Sequence, residues 1–309
     1  MKIAVLGAGA MGCLYGALLA EAGESVTLLD VWEEHIQAIR ERGLTISDPA
    51  GERNIPMQTA TDPRAIGKVE LVLVFVKSYH TQEAMRGALT LLGEKTIVFT
   101  VQNGLGNVEQ LAEIAGAERI LAGTSGFGAT MIAPGHIRHA GTGTTTFGEP
   151  SGLKTARMER LKTIFETAGL NPVAAENLPG IIWGKLLVNV GINPITALAR
   201  IQNGQILESP ELTELMEKAV GEALEVSRRR GIRLAFTGDP LEHVKAVLRN
   251  TKENISSMRQ DIERGRRTEI DFINGAIVRE GAVLGVPTPV NFALTSLIKG
   301  LEAGARQKK

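Results

Sequence analysis

The chain has a single cysteine, Cys13, in 309 residues. No intramolecular disulfide can form, so a reducing compartment is indicated and the cytoplasm is the expected location. Charge of one sign is also lacking, with 34 Lys and Arg against 34 Asp and Glu. Without a net field, the chain is not steered toward nucleic acid or an acidic membrane, and neither partner is expected. No uninterrupted apolar run approaches the roughly 18 residues that span a bilayer. Met1–Leu6 is too short for the apolar core of a signal peptide and runs directly into glycines. The five histidines are scattered. Only His136 and His139 are close, in a segment that reads as extended, so no metal site is expected. No Gly-x-Ser-x-Gly elbow is present to support a hydrolase. Internal repeats and low-complexity tracts are missing too.

What is present changes character along the chain. The first half alternates strands and helices. Lys2–Leu6 is a short apolar run ending at Gly7, Ala10–Ala22 reads as a helix stopped by Gly23, and Ser25–Asp30 as the next strand. A charged amphipathic helix follows over Trp32–Arg42, then a turn at Asp48–Gly51 between two extended pieces. Glu70–Val76 and Thr96–Val101 are further apolar strands. This rhythm predicts an α/β, Rossmann-like doubly wound parallel sheet. Between Gly123 and Pro150, the extended segments Gly135–Ala140 and Thr144–Phe147 suggest an antiparallel extension of that sheet. From Leu178 onward only helical spacing is visible, as in Ile270, Ile273 and Ile277. The expected division is therefore an α/β domain over 1–175, whose ligand the glycine run below suggests, and an all-helical domain over 176–309. The tail Arg306–Lys309 is expected to fray.

Gly7, Ala8, Gly9, Ala10, Met11 and Gly12 form a Gly-x-Gly-x-x-Gly run between the first strand and the first helix. The spacing has a mechanical purpose. Gly7 permits a tight turn, Gly9 lets backbone amides approach a pyrophosphate, and Gly12 allows close helix–strand packing. The helix N-terminus adds unpaired donors and partial positive charge. Position, flanking strand and following strand all agree with a dinucleotide site. Asp30 ends the second strand, 18 residues after Gly12, where an acid accepts the ribose hydroxyls of NAD. Glu33 and Glu34 follow, and no Arg or Lys appears before Arg40. A 2′-phosphate would meet negative charge, so NAD(H) is favoured over NADP(H). The alternative is that Asp30 only caps the helix beginning near Trp32. Lys77 and Asn103 each lie just past the carboxyl end of a strand, the edge where open α/β sheets bind ligands. Ordinary turn chemistry would explain either one.

In the helical half, Lys185, Asn189 and Asn193 recur every four residues and line one helix face, drifting only about 40° per step. Their neighbours are almost all apolar, and Lys185 is the only charged group between Glu176 and Arg200. Pro194 cannot donate to the carbonyl of Val190, which predicts a kink or break. A lysine against apolar walls has its pKa lowered toward working pH, as a general acid needs. The competing reading is a lysine snorkelling above a helix seam. A second polar cluster runs from Asn254 through Ser257 to Thr268, Glu269 and Asp271. Thr268 to Asp271 has the capping-box form, which puts Glu269 in a first helical turn. Glu269 then either complements the helix dipole or holds the lysine, and spacing does not choose between these.

The glycine run at Gly7–Gly12, KSYHT from Lys77, QNG from Gln102, WGKLLVNVGINPITAL from Trp183, ENISSMRQDIERGRRTEID from Glu253 and VPTPVN from Val286 together resemble the ketopantoate reductase (2-dehydropantoate 2-reductase) family. The resemblance runs from Met1 to about Leu297. It implies a Rossmann domain followed by a helical one, and reduction of 2-dehydropantoate to (R)-pantoate in pantothenate and coenzyme A biosynthesis. By the same resemblance, Lys185 is the catalytic lysine and Glu269 its ion-pair partner. Asn189, Asn193, Asn203, Asn254 and Ser257 bind substrate, and Lys77 and Asn103 lie beside nicotinamide and substrate. A homodimer is a further implication. The family norm is NADPH, with a basic residue after the second strand, and Asp30 departs from it. Similar architectures include NAD-dependent D-2-hydroxyacid dehydrogenases acting on bulky 2-keto acids, which the lysine motif does not separate. A non-catalytic dinucleotide-binding redox sensor is a third class, against which the retained Lys185 and Glu269 argue.

Overall fold

The computed structural model describes residues 1–306. By compactness the chain divides into two units, one formed by residues 1–102 and 107–178, the other by residues 103–106 and the chain from Pro179 onward.

In the first unit, β1 (Lys2–Leu6), α1 (Ala10–Glu21), β2 (Ser25–Leu29) and α2 (Glu33–Arg42) follow one another. The hairpin of β3 (Leu44–Asp48) and β4 (Gly51–Ile55) leads to β5 (Gln58–Ala60) and β6 (Val69–Val74). Then come α3 (Thr81–Gly87), β7 (Leu92–Thr100), α4 (Asn107–Ala115), β8 (Ile120–Ser125), β9 (Gly128–Ala133), β10 (His136–Gly141), β11 (Thr145–Gly148), α5 (Ala156–Thr167) and β12 (Pro172–Ala174). The main sheet has the order β12-β11-β8-β7-β6-β1-β2-β5. Its strands from β5 to β8 are parallel, and β11 joins β8 antiparallel. The connectivity reverses at β1: the chain moves through β2 to β5 on one side and through β6 to β8 on the other. That reversal is the switch point at which such sheets bind ligands.

The strands form because their apolar runs are buried on both faces, as parallel strands covered by helices require. Ile3, Val5, Leu28, Leu71, Leu73 and Phe99 all belong to one core. Phe99, Phe147 and Phe165 meet in edge-to-face pairs with centroids 5.2 to 5.7 Å apart, the orientation that ring quadrupoles favour.

The antiparallel extension expected between Gly123 and Pro150 is half realised. Thr145–Gly148 extends the main sheet, but His136–Gly141 does not. It pairs with β9 and with the free edge of β3 in a separate sheet of order β4-β3-β10-β9. Ile46 and Ile137, adjacent in that pairing, are both fully buried. Core burial therefore decides which edge β10 joins.

The second unit contains α6 (Leu178–Ala199), α7 (Pro210–Arg229), α8 (Pro240–Asn250), α9 (Ser257–Glu263), α10 (Asn274–Leu284) and α11 (Pro289–Arg306), with no strand among the described residues. Ser209 and Asp239 cap α7 and α8, each followed by a proline at the first helical position, where the missing N–H costs nothing. Arg306 closes α11, and the rest of the tail expected to fray, 307–309, lies outside the described residues.

One expectation is corrected in α6 and another is narrowed. Among the described residues this 22-residue helix is long and apolar enough, by length and composition, to cross a membrane. Lys185 and the asparagines interrupt the run to the eye without lowering its average enough. Two-thirds of its most apolar stretch is buried inside the protein, as in a core helix. The helix also continues through Pro194 without a break. The carbonyl that Pro194 leaves unserved, Val190 O, accepts a hydrogen bond from Asn274 Nδ2 at 3.1 Å. A side chain from α10 thus replaces the missing backbone donor.

Candidate active site

In the first unit the site begins at the turn after β1. Gly7 has φ +100°, and a Cβ there would come within 2.5 Å of Val76 N. Only glycine fits. A Cβ on Gly12 would run into the Gly7 carbonyl and approach Val5 at 3.1 Å, so α1 packs directly on β1. A Cβ on Gly9 would meet no protein atom within 4 Å, and no side chain caps α1. The first-turn amides of α1, from Ala10 and Met11 onward, have no acceptor within the helix. This open, uncapped helix end fits a dinucleotide pyrophosphate.

Asp30 follows β2 and is half-buried. Its Oδ2 accepts from Ala8 N at 2.7 Å and its Oδ1 from Trp32 N at 3.0 Å. Helix α2 starts one residue after Trp32 and has no side-chain cap bond. Asp30 therefore ties its own strand end to the glycine turn and is not a helix cap. Arg40, the next basic residue, lies two turns along α2 with its guanidinium bonded to Gln37 at 3.2 Å.

Lys77 is half-buried in the loop after β6, and Phe75 N donates to Leu6 O at 2.8 Å, so this loop runs beside the Gly7 turn. Gln102 pins it: Nε2 donates to Val76 O at 2.6 Å and to Thr81 Oγ1 at 2.9 Å. Gln102 carries no mark in the sequence beyond its place in the QNG run. Its partners lie more than 20 residues away, beyond any local pattern.

In the second unit, α6 carries Lys185, Asn189 and Asn193. Lys185 is half-buried and Asn193 is buried. Burial pushes the Lys185 ammonium down to a pKa of about 8, against the opposing pull of the Glu269 carboxylate. Asn189 Nδ2 is buried without a hydrogen-bond partner, an uncompensated donor of the kind a ligand acceptor would satisfy.

Glu269 is buried, at the head of a single 3-10 turn over Ile270–Phe272. The capping box expected at Thr268 is not formed. Thr268 Oγ1 accepts from Ile270 N at 3.2 Å, while its N–H and hydroxyl both donate to Glu302 of α11, at 2.7 and 2.6 Å. A buried carboxylate outcompetes the local cap, since a charged acceptor makes the stronger bond.

Asn103 belongs with this second unit. Its Nδ2 points at Glu269 Oε2, 3.5 Å away. Next to it, Leu105 N donates to Phe272 O at 2.9 Å, and Gly104, at φ +86°, leaves no room for a Cβ against that same carbonyl. Asn103, Glu269 and Lys185 are thereby brought into one neighbourhood, while Asn189 and Asn193 lie one and two turns farther along α6.

Asn203 and Asn254 form a different pair. Asn203 N donates to Asn254 O at 3.0 Å and Asn203 Nδ2 to Thr251 Oγ1 at 3.1 Å, leaving Asn203 Oδ1 buried and unsatisfied. Ser257 and Asn254 are exposed. The buried neighbour Ser256 links this segment to α6, its Oγ accepting from Thr196 Oγ1 at 2.7 Å. These residues are joined to the lysine helix through Ser256, not by direct bonds of their own.

An uncapped glycine turn at a switch point and an acid after β2 are the marks of a dinucleotide-dependent oxidoreductase. Family comparison narrows that class. The ketopantoate reductase PanE/ApbA model matches residues 3–152, and its C-terminal counterpart residues 177–302. The 2-dehydropantoate 2-reductase of Halobacterium salinarum is 38% identical over 300 residues, covering 97% of this chain and 98% of the relative. That of Pyrococcus horikoshii is 39% identical over 304 residues, covering 98% of each. A PanE/ApbA family ketopantoate reductase from Ralstonia eutropha superposes with a TM-score of 0.91 at 32% identity, over 99% of this chain and all of that one. A D-mandelate dehydrogenase solved with NADH and anilino(oxo)acetate reaches 0.94 at 28% identity, with the same coverage. The chain belongs to the ketopantoate reductase family, and is an oxidoreductase acting on a ketone.

Proposed function

We propose that this chain reduces the ketone of 2-dehydropantoate to (R)-pantoate with NADH. The observation that carries the chemistry is Lys185, held on an apolar helix beside Glu269 with its pKa lowered to about 8. When bound, reduced nicotinamide supplies the hydride that goes to the ketone carbon. The chain's own groups do the rest. The Lys185 ammonium stabilises charge developing on the ketone oxygen and gives it the proton that completes the alcohol. Glu269 keeps that ammonium charged against the cost of burial. Asn189, with its unsatisfied Nδ2, and Asn193 fix the substrate's polar groups, as do Asn203, Asn254 and Ser257 from the second cluster. Fixing the pose raises the fraction of bound substrate ready to react. Gly7–Gly12 receives the pyrophosphate, and the family resemblance gives Lys77 and Asn103 contacts with nicotinamide and substrate.

Asp30 supports NADH over NADPH. Its carboxylate is fixed by two backbone amides, exposed Glu33 and Glu34 follow, and Arg40 is engaged elsewhere. A 2′-phosphate would face three acids. The likeness to a D-mandelate dehydrogenase solved with NADH favours a second reading, in which the same lysine chemistry serves a bulky 2-keto acid. Steady-state rates with 2-dehydropantoate and a panel of branched and aromatic 2-keto acids, each with NADH and NADPH, separate these. The highest kcat/KM is expected for 2-dehydropantoate with NADH. A preferred aromatic keto acid would replace the substrate, and a clear NADPH preference would refute the role given to Asp30.

A further inference from the structure

We propose that His35, braced between Cys13 and Trp32, is a positioning residue that holds the glycine turn and Asp30 in register for the adenosine half of the cofactor. This rests on the dinucleotide reading above. His35 is fully buried in the first turn of α2 and has no part in the transfer of hydride or proton.

Its imidazole closes a circuit. Nδ1 accepts from Gly135 N, in the turn between β9 and β10, at 3.0 Å. That bond places the ring proton on Nε2. Nε2 lies 3.4 Å from Cys13 Sγ, and Cys13 Sγ donates to Ala8 O at 3.1 Å. Ala8 N donates to Asp30 Oδ2, Asp30 Oδ1 accepts from Trp32 N, and the Trp32 indole stacks on the His35 ring at 4.9 Å and 15°. Both backbone groups of Ala8, in the middle of the glycine turn, are thus held by side chains.

Every link is charge-neutral apart from Asp30. Burial lowers the His35 pKa, with Asp30 and the Ala8 backbone opposing, and burial raises that of the Cys13 thiol. The strut therefore keeps its proton pattern at neutral pH. Its two ends grip the groups assigned to the pyrophosphate and to the adenosine ribose, and none grips the nicotinamide side.

The test is direct binding of NADH, and of reduced nicotinamide mononucleotide, which lacks the adenosine half, to wild type, His35→Ala and His35→Asn. For His35→Ala, a Kd for NADH raised about tenfold is expected, the effect of losing one buried hydrogen bond with its stack. Mononucleotide binding and kcat at saturating NADH should stay within about twofold by the same logic, since neither draws on those bonds. His35→Asn, whose Oδ1 can still accept from Gly135 N, should recover most of the affinity. NADH binding unchanged in folded His35→Ala, or an equal loss for both ligands, overturns the proposal. Should His35→Ala fail to fold, Trp32→Leu, at a half-exposed position, is read by the same criteria. Wild type that bound no dinucleotide would instead overturn the proposed function.

Discussion

Lys185 sits between two opposed influences, burial that drives its proton off and the Glu269 carboxylate that keeps it on. Because burial is the larger, the group titrates near pH 8 and not in the ordinary lysine range. The sign for activity follows. Ketone reduction needs the ammonium, so kcat/KM for the keto acid should be flat below that point and fall as pH rises through about 8. Oxidation of the hydroxy acid needs the neutral amine and should rise across the same interval. Glu269→Gln removes the opposing charge, so the falling limb should move to lower pH; a limb that did not move would detach Glu269 from the lysine. At this scale the sequence was uneven in what it showed. Lys185, Asn189 and Asn193 declare themselves because helical spacing makes a polar stripe on an apolar helix. Glu269, 84 residues away, had two readings from its spacing, and only the family resemblance chose the partner of the lysine. His35 and Gln102 gave no local sign, since His35 meets Gly135 across 100 residues.

Among the elements, α6 shows how a helix survives an internal proline. Proline in a helix interior costs about 3 kcal/mol, largely through the lost hydrogen bond and the clash with the preceding turn. Asn274 answers the first of these by donating to Val190 O, and it also donates to Asn291 Oδ1 at 3.0 Å. Asn291 in turn bonds Ala219 O and Glu222, so α6, α7, α10 and α11 share one buried network. Asn274→Ala leaves the Val190 carbonyl unserved and should cost about 1–3 kcal/mol, the penalty of an unsatisfied buried group. Urea unfolding should show a lower midpoint at unchanged slope. A midpoint equal to wild type would mean that another donor takes over. Of the kink or break expected at Pro194, the break is averted by a side chain 80 residues downstream. The three-residue strand β5, Gln58–Ala60, lacks any apolar run and is a strand only because it pairs with β2. The second sheet was missed for the same reason, since its β3–β10 pairing joins segments about 90 residues apart and each is too short to declare a partner.

For the whole molecule, the change from alternating strands and helices to helices alone was legible, because apolar period and glycine punctuation differ between the halves. What was not legible was the membership of Asn103–Gly106, which follow β7 in the chain but cluster with the second unit. Their backbone is captured by Phe272, and Asn103 is thereby presented to Glu269. On the proposed function, the glycine turn binds the dinucleotide and Lys185 alone supplies the proton. Rapid-mixing single turnover of Lys185→Ala with saturating NADH and 2-dehydropantoate, alongside the NADH Kd, tests it directly. Hydride transfer should slow by about 10²–10⁴-fold, the usual worth of a positioned general acid, while the NADH Kd stays at the wild-type value. Transfer at near wild-type rate would remove Lys185 from the proton-donor role.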